Sequence, residues 1–258
     1  MRRLHLVELE DLPWFPATIR DLGTDFLRFM GNLGYPFGII TERVAEIVRA
    51  TGRTRIVDLC SGGAGPVERF ARDLQAQGAA VERVTLTDKY PNRAAFAHVA
   101  GQSSGLVDYI ETSVDATDVP ADMHGLRTIF NAFHHFRPDM ARAILQDAVN
   151  KREPIAVFEM LVKTSLPSIA IGSPLAAVMT APFIRPFSWR RILFSWIIPL
   201  VPMLVAFDGI VSCLRIYSPE ELQELVDSLE NTEGYRFEIG RKRKLPFEPV
   251  TYLLGWPE

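Results

Sequence analysis

The sequence predicts an α/β fold built on a mostly parallel sheet, preceded by helices and interrupted by an apolar helical insertion. Three observations predict it. Short apolar runs alternate with charged helical stretches between Arg55 and Glu159; a glycine-rich turn, Gly62 to Gly65, follows the first run; and Asp88 stands just after the second. Alternating strands and helices place consecutive strands parallel, joined by right-handed crossovers.

The elements follow in order. From Leu12 to Ala50 apolar residues recur with a helical period: Leu22, Phe26 and Phe29 share one face, and Val44, Ile47 and Val48 another. Gly31, Gly34, Pro36 and Gly38 separate these two helices. Strands are expected at Arg55–Leu59, Val84–Thr87, Val107–Ile110, Thr128–Ala132 and Ile155–Glu159, with helices at Val67–Gln77, Asn92–Ala100 and Pro138–Asn150. A later helix, Pro219–Leu229, has Ser218 as its cap and Glu221 as the reciprocal acid. Tyr235–Ile239 and Val250–Leu254 read as a terminal strand pair. Residues 1–52 are expected to form an amino-terminal helical cap, and residues 53–258 the main domain, including an insertion at 162–216.

At 258 residues and 48% apolar content, the chain is long enough for one α/β domain with a substantial core. A net charge of -3 gives no general attraction to nucleic acid, and the short basic cluster Arg241 to Lys244 reads as a solvated hairpin. Cys60 and Cys213 make neither a disulfide framework nor a four-cysteine zinc site. The opening residues lack the apolar run of a signal peptide, so the expected location is cytoplasmic.

The segment Ile56-Val57-Asp58-Leu59-Cys60-Ser61-Gly62-Gly63-Ala64-Gly65-Pro66 leads from a strand through a tight turn into a helix. Glycine permits the sharp path and the close approach of a ligand, and Pro66 suits a first helical turn. Asp88 is placed to accept hydrogen bonds from a ribose diol, and Asp115 to meet an adenine amino group; either can instead cap a helix or face water. The turn lacks the spacing and the Lys-Ser/Thr end of a Walker phosphate loop. A dinucleotide oxidoreductase shares a glycine turn and an acid after its second strand.

On these residues the chain resembles the class I S-adenosylmethionine-dependent methyltransferase superfamily. Asp58 to Gly65 resembles its glycine-rich first motif, and Asp88 its ribose-binding acid. Asp115-Ala116 is similar to the adenine position, and Asn131-Ala132 to the segment beside the methionine portion. The resemblance runs from Arg53 to Glu159. It implies a Rossmann-like sheet of seven strands, the last antiparallel, and S-adenosylmethionine held by Asp58, Ser61, Gly62, Gly63, Gly65, Asp88, Asp115, Ala116 and Asn131. The glycines are crowded relative to the family's alternating pattern, which leaves open which amides meet the amino-acid part.

His134 and His135 follow the fourth strand, where a histidine can remove a proton from an acceptor, or merely close the loop. Adjacent histidines without further ligand spacing predict no metal site. The run Ile192 to Phe207 approaches the length of a membrane span, but Pro199 and Pro202 interrupt it. A hydrophobic substrate cap, or a helix pair peripheral at a membrane, is the expected form. Asp208, Ser212 and Arg215 share a helical face suited to a polar substrate handle, or to an intramolecular Asp-Arg pair that anchors the insertion. Trp14 and Tyr35 are further candidates for the substrate pocket. The expected activity is methyl transfer to a small apolar or aromatic acceptor by a monomer or weak homodimer. The alternatives are a noncatalytic cofactor-binding interaction module and an enzyme of cofactor-assisted rearrangement.

Overall fold

The computed structural model describes residues 3–243 and 249–258. Seven strands form one sheet: β1 Arg55–Asp58, β2 Arg83–Leu86, β3 Val107–Tyr109, β4 Leu126–Phe130, β5 Ile155–Glu159, β6 Tyr235–Lys242 and β7 Val250–Pro257. Their order is β3-β2-β1-β4-β5-β7-β6. β1 to β5 run parallel, and β7 pairs antiparallel with both β5 and β6. This is the expected α/β Rossmann-like arrangement. Strand β4 ends at Phe130 because Asn131 turns into the left-handed region, at φ 50°. The basic cluster divides: Arg241 and Lys242 end β6, and Lys244 lies outside the described residues.

Helices cover both faces. After α1 (Ala17–Gly34), which lies over the glycine turn, α2 (Thr41–Thr51) and α3 (Val67–Ala76) cover one of them. Helix α3 buries Val67, Phe70, Ala71 and Leu74, the spacing of one helical face. Phe70 meets Phe130 and Phe158, which stack on one another at 5.0 Å, and Phe37 closes the group. Helix α4 (Arg93–Gln102) starts at Asn92, whose side chain accepts from the Ala95 amide. On the other face α5 (Pro138–Asn150) buries Ala141, Ile144, Leu145 and Ala148 against β4, β5 and β7.

Between β5 and β6 the chain forms α6 (Leu166–Thr180), a short helical segment α7 (Trp189–Ile192) continuing in a wider turn to Ile197, α8 (Leu200–Arg215) and α9 (Pro219–Asp227). The helical path bends by 74° between Ile197 and Leu200, where Pro199 supplies no amide donor to carry the helix through. Among the described residues no single helix is long and apolar enough to cross a membrane. Ala177, Ile184, Val201 and Val205 of this region pack with Leu22 and Phe26 of α1 in a separate apolar core. The buried Arg191 fixes the contact: it pairs with Asp25 of α1 at 2.5 Å and donates to the carbonyls of Ile184 and Pro186. Helix α9 begins with the capping box read from the sequence. Ser218 Oγ accepts from the Glu221 amide at 3.2 Å, and Glu221 Oε2 accepts from the Ser218 amide at 2.8 Å.

Candidate functional site

The sheet order reverses between β1 and β4, and in open α/β sheets the crevice beyond the strand carboxyl ends at such a reversal receives ligands. Asp58 ends β1 there, buried, accepting hydrogen bonds from Thr128 Oγ1 at 2.6 Å and Ser61 Oγ at 2.7 Å. Burial pushes its carboxyl up to about 7; the two hydroxyls oppose the rise, and Asp88 adds to it. Asp58 therefore braces the turn from beneath. The turn itself is strongly left-handed, with Cys60, Gly62, Ala64 and Gly65 all at positive φ. Gly63 is needed for another reason: a Cβ there would lie 2.6 Å from the Thr24 carbonyl oxygen of α1. A Cβ on Gly65 would meet nothing within 4 Å, so that side of the turn is open.

Asp88 follows β2 by two residues and is half-buried. Its Oδ2 accepts from the Gly62 amide at 2.8 Å and its Oδ1 from the Tyr90 amide at 2.7 Å. A carboxylate has about four acceptor positions, so Asp88 ties the glycine turn to the next loop and keeps capacity for a diol. Asp115 is exposed, bonded to the Thr117 hydroxyl and amide, which hold its carboxyl below the usual range; Ala116 beside it is buried. Asn131 Oδ1 accepts from the Met160 amide at 2.8 Å. The structure thus gathers Asp58, Ser61, the glycines, Asp88 and Asn131 along the ends of β1, β2 and β4. These groups fit a nucleoside-bearing cofactor, on the evidence of the open Gly65 side and the unused acceptor capacity of Asp88.

The histidines lie in a different setting. His134 is 2% exposed; Glu159 accepts its backbone amide and contacts Nδ1 at 2.9 and 3.1 Å. His135 Nδ1 bonds to Asp11 at 2.8 Å. Over both rings passes the segment Glu8 to Asp11, with Glu8 fully buried. Burial pulls the His135 pKa down, but Glu8, Asp11 and Glu10 outweigh it and raise the value to about 10. Burial likewise pushes Glu10 up to about 8 and Asp208 to about 6.

Asp208 and Arg215 are engaged in holding that amino-terminal segment. Asp208 accepts from the amides of Leu9 and Glu10, at 2.8 and 3.1 Å. Arg215 is buried; it pairs with Asp11 at 2.6 Å and Glu8 at 3.1 Å, and donates to the carbonyls of His134 and His135. Ser212 bonds back to the Asp208 carbonyl within α8. Asp208 and Arg215 therefore anchor α8 to residues 8–11 rather than pairing with one another. Tyr35 is buried beneath Arg69, whose guanidinium lies 4.1 Å from the ring centre, whereas Trp14 is 72% exposed. Glu8, Glu10, Asp11 and Thr24 escaped sequence reasoning. The run Glu8-Leu9-Glu10-Asp11 was the available signal, but a local acidic run does not say which strand end it will cover.

No protein-family model and no curated protein matches this sequence. Solved structures do match its shape. The methyltransferase domain of the bacterial protein CtHen1-CN superposes with a TM-score of 0.50 at 9% identity, over 84% of this chain and 96% of that one. The S-adenosylmethionine-dependent methyltransferase SibL gives 0.48 at 14% identity, over 84% of this chain and 55% of that one. With the strand order, the antiparallel β7 and the glycine turn at the β1 carboxyl end, the chain has the fold of the class I S-adenosylmethionine-dependent methyltransferases.

Proposed function

We propose that this protein binds S-adenosylmethionine along the carboxyl ends of β1, β2 and β4 and transfers its methyl group to a small acceptor with an apolar or aromatic body. The observation that carries the reading is Asp88, fixed to the glycine turn through the Gly62 amide and retaining acceptor positions for two ribose hydroxyls. In this reading Gly65 leaves the backbone accessible, Gly62 and Gly63 shape the turn beneath α1, Asp58 and Ser61 brace it, and Asn131 borders the methionine end. Asp115 and the buried Ala116 border the adenine. The cofactor supplies an electrophilic methyl group. The protein's contribution is to align the acceptor with it and to exclude water. His134 and His135 belong to the acceptor side, with their carboxylate partners determining whether either exchanges a proton.

The apolar class of acceptor is supported by the insertion. Ile171, Leu175, Met179, Phe183, Trp189, Ile197 and Met203 are all more than half exposed on it. Large apolar side chains left this exposed on one insertion suit contact with lipid, partner or greasy substrate. With Arg185 and Arg190 exposed beside it, peripheral contact with a lipid surface belongs to the same reading. Equilibrium binding of radiolabelled S-adenosylmethionine to the folded chain tests the first step, and binding is expected. A folded chain that fails to bind overturns the reading. Formation of S-adenosylhomocysteine with a panel of apolar phenols, amines and carbon acids tests the second; binding without turnover across the panel returns weight to a noncatalytic module or a rearrangement.

A further inference from the structure

We propose that Glu8, His134 and His135 form a binding site for a first-row divalent transition-metal ion of the zinc type. The inference concerns metal binding and is independent of the methyl-transfer reading. It revises the sequence expectation of no metal site, which saw only two adjacent histidines and not the carboxylates brought over them.

The first support is a set of buried polar atoms with no hydrogen bond. Both oxygens of the fully buried Glu8 and Nε2 of His134 have no hydrogen-bond partner among the described residues. Arg215 Nη1 approaches Glu8 Oε1 at 3.1 Å as an ion pair without hydrogen-bond geometry. Stranding such atoms away from water is costly unless something else meets them.

The second is spacing. His134 Nε2 lies 3.7 Å from Glu8 Oε1, His135 Nε2 lies 3.5 Å from Glu8 Oε2, and His135 Nε2 lies 3.6 Å from Glu10 Oε1. These separations are long for hydrogen bonds. Two ligand atoms each ~2.1 Å from one tetrahedral ion stand ~3.4 Å apart, which is close to what is seen. One ligand atom from each of Glu8, His134 and His135 lies within 4.8 Å of the other two.

The third is orientation. Each ring has its Nδ1 against a carboxylate: Glu159 for His134 at 2.9 Å, Asp11 for His135 at 2.8 Å. Each therefore turns its Nε2 toward Glu8. A metal-bound imidazole characteristically has its second nitrogen held by a carboxylate, which fixes the tautomer and strengthens the ligand. Charge points the same way: Glu8, Asp11, Glu159 and Asp208 gather around Arg3 and Arg215, and a divalent cation would take the place of the proton that these acids favour on His135. Two imidazole nitrogens with carboxylate oxygens suit zinc, cobalt or iron(II) better than the all-oxygen preference of calcium or magnesium.

The test uses the full chain, freed of metal by dialysis against a chelator and titrated calorimetrically with Zn²⁺ in the absence of S-adenosylmethionine. One ion per chain is expected, and Glu8→Gln and His134→Gln are each expected to weaken binding by on the order of 100-fold. Absence of zinc binding by the folded chain overturns the proposal, as does unchanged binding in both variants. If circular dichroism shows that the variants do not fold, Co²⁺ added to the unaltered chain decides. Intense visible absorption of a low-coordinate, imidazole-bound ion supports the site, and the weak spectrum of hydrated Co²⁺ overturns it. S-adenosylmethionine binding is measured separately, so failure of the cofactor reading and failure of the metal site are distinguishable.

Discussion

Asp58 and Asp88 are both acids at strand ends, yet their surroundings give them opposite tasks. Asp58 is buried under hydroxyl donors with its carboxyl pushed up to about 7. An acid whose folded pKa exceeds its unfolded value contributes its stability fully below about pH 4 and loses it as pH rises to about 7. Between pH 5 and 7 that loss is ~2 kcal/mol. Asp58→Asn keeps an acceptor for Thr128 and offers a donor to Ser61, but cannot ionise. Urea unfolding at pH 5 and pH 7.5 should therefore show the variant gaining on the parent as pH rises, and a gap that is flat or reversed contradicts the assignment. Asp88→Ala removes the acceptor of two loop amides and of the proposed ribose. Cofactor affinity is expected to fall by at least about tenfold, a loss of ~1.4 kcal/mol, with the unfolding midpoint used to separate loop damage from lost contact. Asp88 was legible in the sequence because a strand and its following acid are local. The partnership of Asp11 with His135 was not, because 124 positions separate them.

At the scale of elements, most of the sheet could be read from apolar runs, and α9 from its capping box, because these signals are carried within a few residues. The insertion could be read as apolar and broken by proline, but not as a partner of α1, since an apolar face does not specify what it will cover. Two buried contacts test how α1 is held, one against the insertion and one against the glycine turn. Asp25→Ala leaves the Arg191 guanidinium buried without its carboxylate, a change expected to cost about 3 kcal/mol or more of stability. Gly63→Ala drives a Cβ toward the backbone of Thr24 and should cost ~1–3 kcal/mol as α1 is displaced from the glycine turn. Chemical denaturation reads both. For the exposed side of the insertion, the double variant Trp189→Ser, Ile197→Ser should reduce co-sedimentation with anionic phospholipid vesicles several-fold while leaving the unfolding midpoint in place. Equal sedimentation of parent and variant removes the proposed lipid contact.

For the whole molecule, the segment from Arg3 to Asp11 joins parts that the sheet alone would leave apart. The Leu4 amide donates to the Leu214 carbonyl, and Arg3 donates to the carbonyls of His134, Phe136 and Arg215. The order in which a chain is synthesised gives this arrangement a consequence. Glu8 and Asp11 leave the ribosome long before Arg215 exists, and until then their carboxylates have only water for company. Domains made amino-terminal end first begin folding as they emerge. Here residues 3–11 must wait for α8, more than 180 positions later, before they can dock. Closure of the segment over His134 and His135 is thus placed at the end of assembly, after translation has passed α8, and a nascent chain halted before that point would hold the glycine turn but leave the histidine enclosure unsealed.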